Sequence, residues 1–472
     1  MLPLSRSDVP LTSGVKAVQS AKPQADRADS SEARIQLAET SVEDLSKMFT
    51  RVLINNPELS QSSVEGLAYA SIRPKVRESL SKDKEFLKCL VKTLEGAPAK
   101  SPLAYGALSI LVNLTAYQPV LSEEEKKMQQ LKAYANAAGK IQPDPLSDHD
   151  HVTERCKRVF EVGVIPALVA HSKAGSKNSL SLIVSIIYSI SMTPSLRGQL
   201  AQQGAVRLLI AAWLALPEAE RKPRRTAAQG LARILITTNP TLVFGGTRLI
   251  SQSNAIRPLA SLVAPDHDSD TRDLLPTFEA LMALTNLAST DDDTRHSIVR
   301  VAWNDIEEQL MSSNPRITTA AVELICNLVQ SATDAVALYG SGKAEADNRL
   351  SILVALADAE DTPTRSAAGG ALASLTNQEA VVRAIAKRNR GPEIVLGLCG
   401  DVNEDLRHRG VFIVYNMASA EGSAGELARQ KLLAADGKAV LIKCLRDSRR
   451  AEVVEIAAQA LKALFPGGIQ VD

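Results

Sequence analysis

Residues 147–151 read SDHDH, which places two histidines and two aspartates within five positions. Imidazole nitrogen and carboxylate oxygen are donor types that hold zinc and related divalent ions, but a closed site needs three or four such ligands. No second His or Cys cluster stands within reach in the sequence, so a solvated, flexible loop is the expectation and no metal site. Nucleophilic chemistry has no better support. Cys89, Cys156, Cys326, Cys399 and Cys444 are scattered, form no CxxC pair and fall in or beside apolar runs, which reads as buried thiols in a reducing compartment. The sequence contains no G-x-S-x-G and no HExxH, and its paired glycines at 245–246 and 369–370 lack the frame of a phosphate loop. Neither a catalytic residue nor a cofactor is expected. The run RKPRR at 221–225 reads as an exposed loop or helix start, and DDD at 291–293 as the acidic first turn of a helix.

Five asparagines offer a different chemistry. Asn113, Asn286, Asn327, Asn377 and Asn416 lie in similar apolar settings: LVNLTA, LTNLAS, ICNLVQ, SLTNQE and VYNMAS. Asparagine is a mediocre helix former and costly to bury without partners, so its recurrence at intervals of 41, 50 and 39 residues from Asn286 onward marks an architectural position. An amide both donates and accepts. A ladder of amides along one concave surface could hold an extended peptide by its backbone. Each amide could equally bond a carbonyl of its own or an adjacent repeat. For the set, the groove is the expected role. Seven residues on a helix return to nearly the same direction, which groups Asn286 with Glu279 and Met282, Asn327 with Glu323 and Ala320, and Asn416 with Arg409 and Phe412.

The elements that must carry these amides are helices. From Val42 onward apolar residues recur at three- and four-residue intervals, Gly and Pro cluster in short breaks, and no alternating strand pattern appears. A helix-opening signature recurs as GVIPALV at Gly163, GAVRLLI at Gly204 and NAIRPLASLV at Asn254, with weaker copies near Leu350 and at Gly391 and Gly437. Periods of roughly 40–47 residues with two or three helices each indicate armadillo or HEAT repeats. The expected fold is all-α, a right-handed superhelical solenoid of such repeats. Aromatics make up only 3% of the 472 residues, so Ala, Leu, Val and Ile must do most of the packing, which suits closely stacked helices. Residues 1–40 are expected to be disordered, 41–120 to form N-terminal helical repeats, 121–150 a polar helix and flexible linker, and 151–472 the main array.

The formal charge is +1, from 54 basic and 53 acidic residues, which argues against a nucleic-acid partner. No apolar run is long enough to span a membrane and no signal-peptide core is seen, so the expected location is cytoplasmic, with no membrane partner.

Four stretches, SVEGLAYASIRPKVRESL (63–80), YGALSILVNLTAYQP (105–119), FEALMALTNLAS (278–289) and DLRHRGVFIVYNMAS (405–419), resemble the UCS-domain family of myosin-directed chaperones. The resemblance runs from about Val42 to Leu464. It implies an armadillo array that binds myosin motor domains of the actin cytoskeleton and helps them fold or resist stress, as a co-chaperone of Hsp90, with self-association left open. No W-x-x-L-G-x-x-Y pattern of a tetratricopeptide domain precedes the array, as in fungal-type members, which argues against a direct clamp on the Hsp90 tail. The resemblance places the client groove in the C-terminal repeats. Its candidates are Phe278, Glu279, Met282 and Asn286, with Asn327 and Asn377, and a second group of Arg407, His408, Arg409, Phe412 and Asn416. The apolar stretch 239–250, with Phe244, Gly245 and Gly246, could fold over the groove with Phe244 as an exposed anchor, or pack against its own repeat. The alternative function is a general armadillo scaffold or cargo adaptor. Import receptors of that class interleave their amides with regular tryptophans, whereas Trp213 and Trp303, the only two here, lie outside the Asn-bearing helices.

Overall fold

The computed structural model describes residues 41–56, 59–118, 127–128, 130–131, 144–245, 250–264, 273–330 and 333–466. These contain 25 α-helices and no strand. The segment 1–40, expected to be disordered, and most of 121–150 lie outside the described residues. The helices form two compact units that divide between Thr238 and Asn239. Unit 1 holds α1 (Val42–Asn55), α2 (Ser60–Ala70), α3 (Pro74–Lys82), α4 (Lys84–Gly96), α5 (Pro102–Thr115), α6 (His149–Glu161), α7 (Val164–Ser172), α8 (Lys177–Ser191), α9 (Arg197–Gln202), α10 (Ala205–Ala215) and α11 (Arg221–Thr237). Unit 2 holds α12 (Pro240–Phe244), α13 (Ser253–Ala260), α14 (Leu275–Ala288), α15 (Asp292–Gln309), α16 (Pro315–Leu328), α17 (Thr333–Gly340), α18 (Ala344–Leu356), α19 (Thr362–Leu375), α20 (Glu379–Lys387), α21 (Gly391–Cys399), α22 (Glu404–Ser419), α23 (Gly422–Ala434), α24 (Gly437–Asp447) and α25 (Ala451–Leu464). The expected break at 121–150 is not where the chain divides: α5 before it packs on α6 and α8 after it.

The repeat is built from local signals. Its last helix opens in several repeats on a capping side chain followed by proline. Ser101 accepts from Ala104 N ahead of Pro102, and Asn314 from Arg316 N ahead of Pro315. The cap satisfies an orphan amide, and proline at the first helical position gives up an N–H that had no partner. The shorter middle helix opens on a left-handed residue: Gly163 (φ 82°) before α7 and Gly204 (φ 94°) before α10. In α21 and α24 the same turn is shifted by one residue. Arg390 (φ 59°) and Asp436 (φ 61°) take the left-handed position at a cost of roughly 1–2 kcal/mol. Gly391 and Gly437 follow, where a Cβ would lie 2.2 Å from Ile385 O and 2.7 Å from Leu432 O.

The long helices then stack on their counterparts in neighbouring repeats. In unit 1, α5 packs on α2, α8 on α5 and α11 on α8; in unit 2 the order is α14, α16, α19, α22, α25. Their buried faces are almost wholly aliphatic, as the low aromatic content anticipates: Ala280, Leu281, Leu284 and Leu287 in α14, and Ala321, Leu324, Ile325 and Leu328 in α16. No single helix among the described residues is long and apolar enough to cross a membrane.

Candidate functional site

On the stacked helices of unit 2, the half-buried positions fall in step. Four residues apart on each helix stand Phe278, Met282 and Asn286 on α14; Thr319, Glu323 and Asn327 on α16; Ser366, Gly370 and Ser374 on α19; and His408, Phe412 and Asn416 on α22. All twelve are half-buried, while the residues between them are largely buried in the stack. A four-residue stagger overshoots one helical turn only slightly, so each trio stays on one side of its helix. Four stacked trios give one face of three rows: an N-terminal row with Phe278 and His408, a middle row with Met282, Glu323 and Phe412, and a C-terminal row of three amides and Ser374.

The amides are committed on their donor side. Asn416 Nδ2 donates to Ala373 O (3.1 Å) and Thr376 Oγ1 (3.1 Å), and Asn327 Nδ2 to Thr285 O (3.1 Å). In unit 1, Asn113 Nδ2 donates in the same way to Ala68 O (3.1 Å) and Ser71 Oγ (2.9 Å). Asn286 is likewise not a free amide. Each acceptor carbonyl lies in the last turn of the preceding stacked helix, where the final four carbonyls have no partner within their own helix. The asparagine is thus a cap supplied by the next repeat, and in Asn416 and Asn113, whose Nδ2 has two acceptors, Oδ1 is what remains to face outward. Truncation of Asn416 to alanine is expected to cost about 1 kcal/mol, because Thr376 Oγ1 loses its donor and Ala373 O is left with the Thr376 hydroxyl alone (3.0 Å). A lowered urea midpoint for unit 2 would show it, and an unchanged midpoint would refute the capping role.

The expectation for Asn377 needs correction. It lies beyond the end of α19, exposed, and donates to Ser374 O (3.2 Å). The acceptor carbonyl Thr285 immediately precedes Asn286, and Ala373 likewise precedes Ser374, so the amide position in α19 is held by Ser374. Glu279 and Arg407 are also misplaced in the sequence reading. Both are buried (8% and 9% exposed), one position away from Phe278 and His408, and Arg407 pairs with Glu404 Oε1 at 2.9 Å. A single helical step of 100° carries a side chain from the open face into the stack. Ala320, expected beside Asn327, is buried too. Phe244 ends α12 with only 7% exposure and is not an exposed anchor. Gly245 follows it with its N–H bonded to Thr241 O at 3.0 Å, and Gly246 lies outside the described residues.

Arg409 crosses the face. Its Nη1 donates to Ser366 Oγ (2.5 Å), and its guanidinium passes 3.4 Å from where a Cβ on Gly370 would stand. Cys326 Sγ is 2.8 Å from the same point. Gly370 is therefore the gap that lets an arginine lie flat across two repeats. Thr319, Ser366, Gly370 and Ser374 were not singled out by sequence for this face; the four-residue stagger counted back from each helix end is the signal that finds them. Burial raises the Glu323 carboxyl, which has no hydrogen-bond or ion-pair partner among the described residues. Burial likewise raises the Cys326 thiol, against the lowering effect of Arg409, so the sulfur stays protonated at neutral pH. At the C-terminal end of the face a recess of about 290 Å³ opens between α19, α20 and α22, lined by Thr376, Asn377, Glu379, Val382, Asn416, Ser419, Ala420 and Glu421.

The motif that could have held a metal does other work. Asp148 caps α6 by accepting from His151 N (2.8 Å) and meets His151 Nδ1 at 2.8 Å, while the His149 ring stacks on Tyr117 at 5.0 Å. What was expected to be a flexible loop is a helix start. Among the described residues no group of three or more His, Cys, Asp or Glu is arranged to hold a metal ion. Asp291 caps α15 through Thr294 N (2.8 Å), as DDD suggested, and 221–225 opens α11 with Arg224 over the Trp213 ring at 4.0 Å.

No family model matches the chain. It is 29% identical to ring assembly protein 3 of Schizosaccharomyces pombe over 371 residues, which is 78% of this chain and 48% of that protein. It is 30% identical to protein unc-45 homolog B of Mus musculus over 440 residues, 90% of this chain and 45% of that one. The structure of UNC-45 from Drosophila melanogaster superposes with a TM-score of 0.75 at 30% identity, over 90% of this chain and 52% of that chain. The fold is shared as well, at 22% identity, a TM-score of 0.72 and coverage of 89% and 43%, with UNC-45 from C. elegans, described as a myosin chaperone in complex with a Hsp90 peptide. The chain spans about half the length of the relatives it matches.

Proposed function

We propose that the chain is a member of the UCS-domain family, with ring assembly protein 3 and the unc-45 homologues as relatives, and a chaperone that holds myosin motor domains on the open face of unit 2. The observation that carries the reading is the twelve-residue face. Phe278, Met282 and Phe412 keep apolar surface half-exposed on a rigid helical support, and Glu323 and Arg409 stand beside them with charge. A partly folded segment needs such a preformed surface to cover its apolar side chains. The proposed action is binding without catalysis, in the cytoplasm, in cooperation with Hsp90.

The test is thermal aggregation of a purified myosin motor domain. Wild-type protein is expected to suppress it, and a Phe278→Ala/Phe412→Ala variant to lose most of the suppression while keeping its helical circular dichroism. Both rings are half-buried, so truncation leaves the stack in place. Wild-type protein that gives no protection would end the chaperone reading and favour an adaptor. Full protection by the folded double variant would move the site elsewhere.

A further inference from the structure

We infer that the segment held on the open face of unit 2 carries one basic and one acidic residue about 10 Å apart, the basic one for Glu323 and the acidic one for Arg409. Both charges lie half-buried in the middle of the face, and neither has a counter-ion among the described residues. Arg409 spends one N–H on a neutral acceptor, Ser366 Oγ (2.5 Å), and the nearest carboxylate along its own helix, Asp405, is taken by Arg450. Burial raises the Glu323 carboxyl, and no neighbouring charge offsets this. The two charges do not meet each other. Arg409 lies across α19, its guanidinium 3.4 Å from the point a Cβ on Gly370 would take, while Glu323 belongs to α16. The Cys326 thiol stands between them in the field of both: Arg409 lowers it and Glu323 raises it. Across the stack the order is Met282, Glu323, Arg409, Phe412, so a segment whose apolar residues dock on Met282 and Phe412 covers both charges. Covering a lone half-buried charge with apolar surface strips its remaining water and costs more than the contact returns, whereas a hydrogen-bonded counter-charge offsets the loss. A wholly apolar segment is thereby disfavoured, and one with its charges reversed is repelled at both points. The guanidinium suits a carboxylate in particular, because its planar N–H groups match the two oxygens. The spacing follows from the stack. α16 and α19 pack directly, and packed helices stand roughly 8–10 Å apart, which an extended chain spans in about three residues.

This inference rests on the proposed function only in assigning the segment to a myosin motor domain, so the charge pattern is tested separately from the client. The probes are two dye-labelled peptides, acetyl-Phe-Lys-Ala-Ala-Glu-Phe-amide and the same chain with Lys and Glu exchanged, beside counterparts with Gln at one or both charged positions. Fluorescence anisotropy reads binding. One of the two charged orders is expected to bind wild-type protein about three- to tenfold tighter than the peptide with Gln at both positions, and added salt to erase the difference. Glu323→Gln is expected to remove the contribution of the Lys, and Arg409→Gln that of the Glu, each read against the peptide with Gln at that one position. Glu323 makes no hydrogen bond in the resting protein, so its variant keeps the fold and carries the test even where Arg409→Gln does not. Equal binding of the uncharged peptide, no binding of either charged peptide, or a charge preference that survives Glu323→Gln would overturn the pattern. Glu323→Lys is expected to weaken binding of the motor domain about tenfold; unchanged motor affinity beside a responsive peptide would overturn the assignment to the client. Failure of wild-type protein to bind the motor domain, with the charged peptide still preferred, would sink the proposed function and leave the charge pattern standing.

Discussion

Alanine at Arg155 is expected to cost unit 1 about 3–5 kcal/mol, the range for breaking a buried ion pair from one side. Arg155 is fully buried. Its Nε donates to Leu114 O (2.9 Å) and its Nη1 to Leu146 O (2.7 Å) and Glu78 Oε2 (3.3 Å). One side chain thus ties α3 and the end of α5 to α6. Its loss strands the last-turn carbonyl of α5 and removes a counter-charge from a carboxylate with 8% exposure. Lys82 (3.2 Å) and Arg158 (3.4 Å) still reach Glu78, which places the expected loss toward the lower end. The pH dependence has a definite sign. Burial alone would raise the Glu78 carboxyl, but its bonds to Lys82 and Arg155 outweigh this and hold it below the usual value. A group depressed on folding contributes stability above its unfolded pKa, about 4.3, and loses it as pH falls through the folded value. Without Arg155 the carboxyl protonates at higher pH, so the acid-unfolding midpoint should move up. Trp213 lies in unit 1 and Trp303 in unit 2, so Trp213 fluorescence in a Trp303→Phe background reads unit 1 during urea unfolding. A loss under about 1 kcal/mol, the range of an exposed pair, would mean the network is not a structural tie.

Gly410→Ala is the second large effect, a loss of about 2 kcal/mol from unit 2. A Cβ at Gly410 would stand 2.6 Å from Cys399 N and 2.8 Å from both Leu398 C and Leu398 Cβ. Two of these are backbone atoms of α21, which no rotamer change can move aside. Overpacking of this kind costs typically 1–3 kcal/mol and exceeds the gain of about 1 kcal/mol from replacing glycine in a helix. Gly397 provides the contrast. It is exposed within α21, and nothing lies within 4 Å of the position its Cβ would take. Gly397→Ala should therefore stabilise by up to about 1 kcal/mol. Urea midpoints of opposite sign for the two variants are the expected result. Equal tolerance at both positions would show that α21 and α22 are not in the close contact described.

The repeat architecture was legible because it is written in local chemistry: the helical period, the capping residue before proline, and the glycine at or beside the turn into several of the middle helices. Helical phase was less so. Glu279 and Arg407 look like neighbours of the groove residues, and only the packing of α14 and α22 shows that one step turns them inward. The amide ladder was legible as a position but not as a direction. The sequence contains the donors, but the carbonyls they reach lie about 42 residues earlier, in another helix. Ser374 escaped notice because a search for asparagine finds Asn377, one turn too late.

The cross-repeat amides also bear on how such an array comes into being. The end of α2 is capped by Asn113, that of α14 by Asn327 and that of α19 by Asn416. Part of the capping of these three helices therefore waits until the next stacked helix has docked, although Ser71 and Thr376 hydroxyls already bond the same carbonyls at the ends of α2 and α19. On a ribosome, which delivers the N-terminal end first, each of these three ends gains its amide cap only when the next stacked helix arrives. Such nearest-neighbour coupling ties the stability of a repeat to the chain downstream of it. It also gives the array a polarity: damage at one repeat is felt first at the helix end that precedes it.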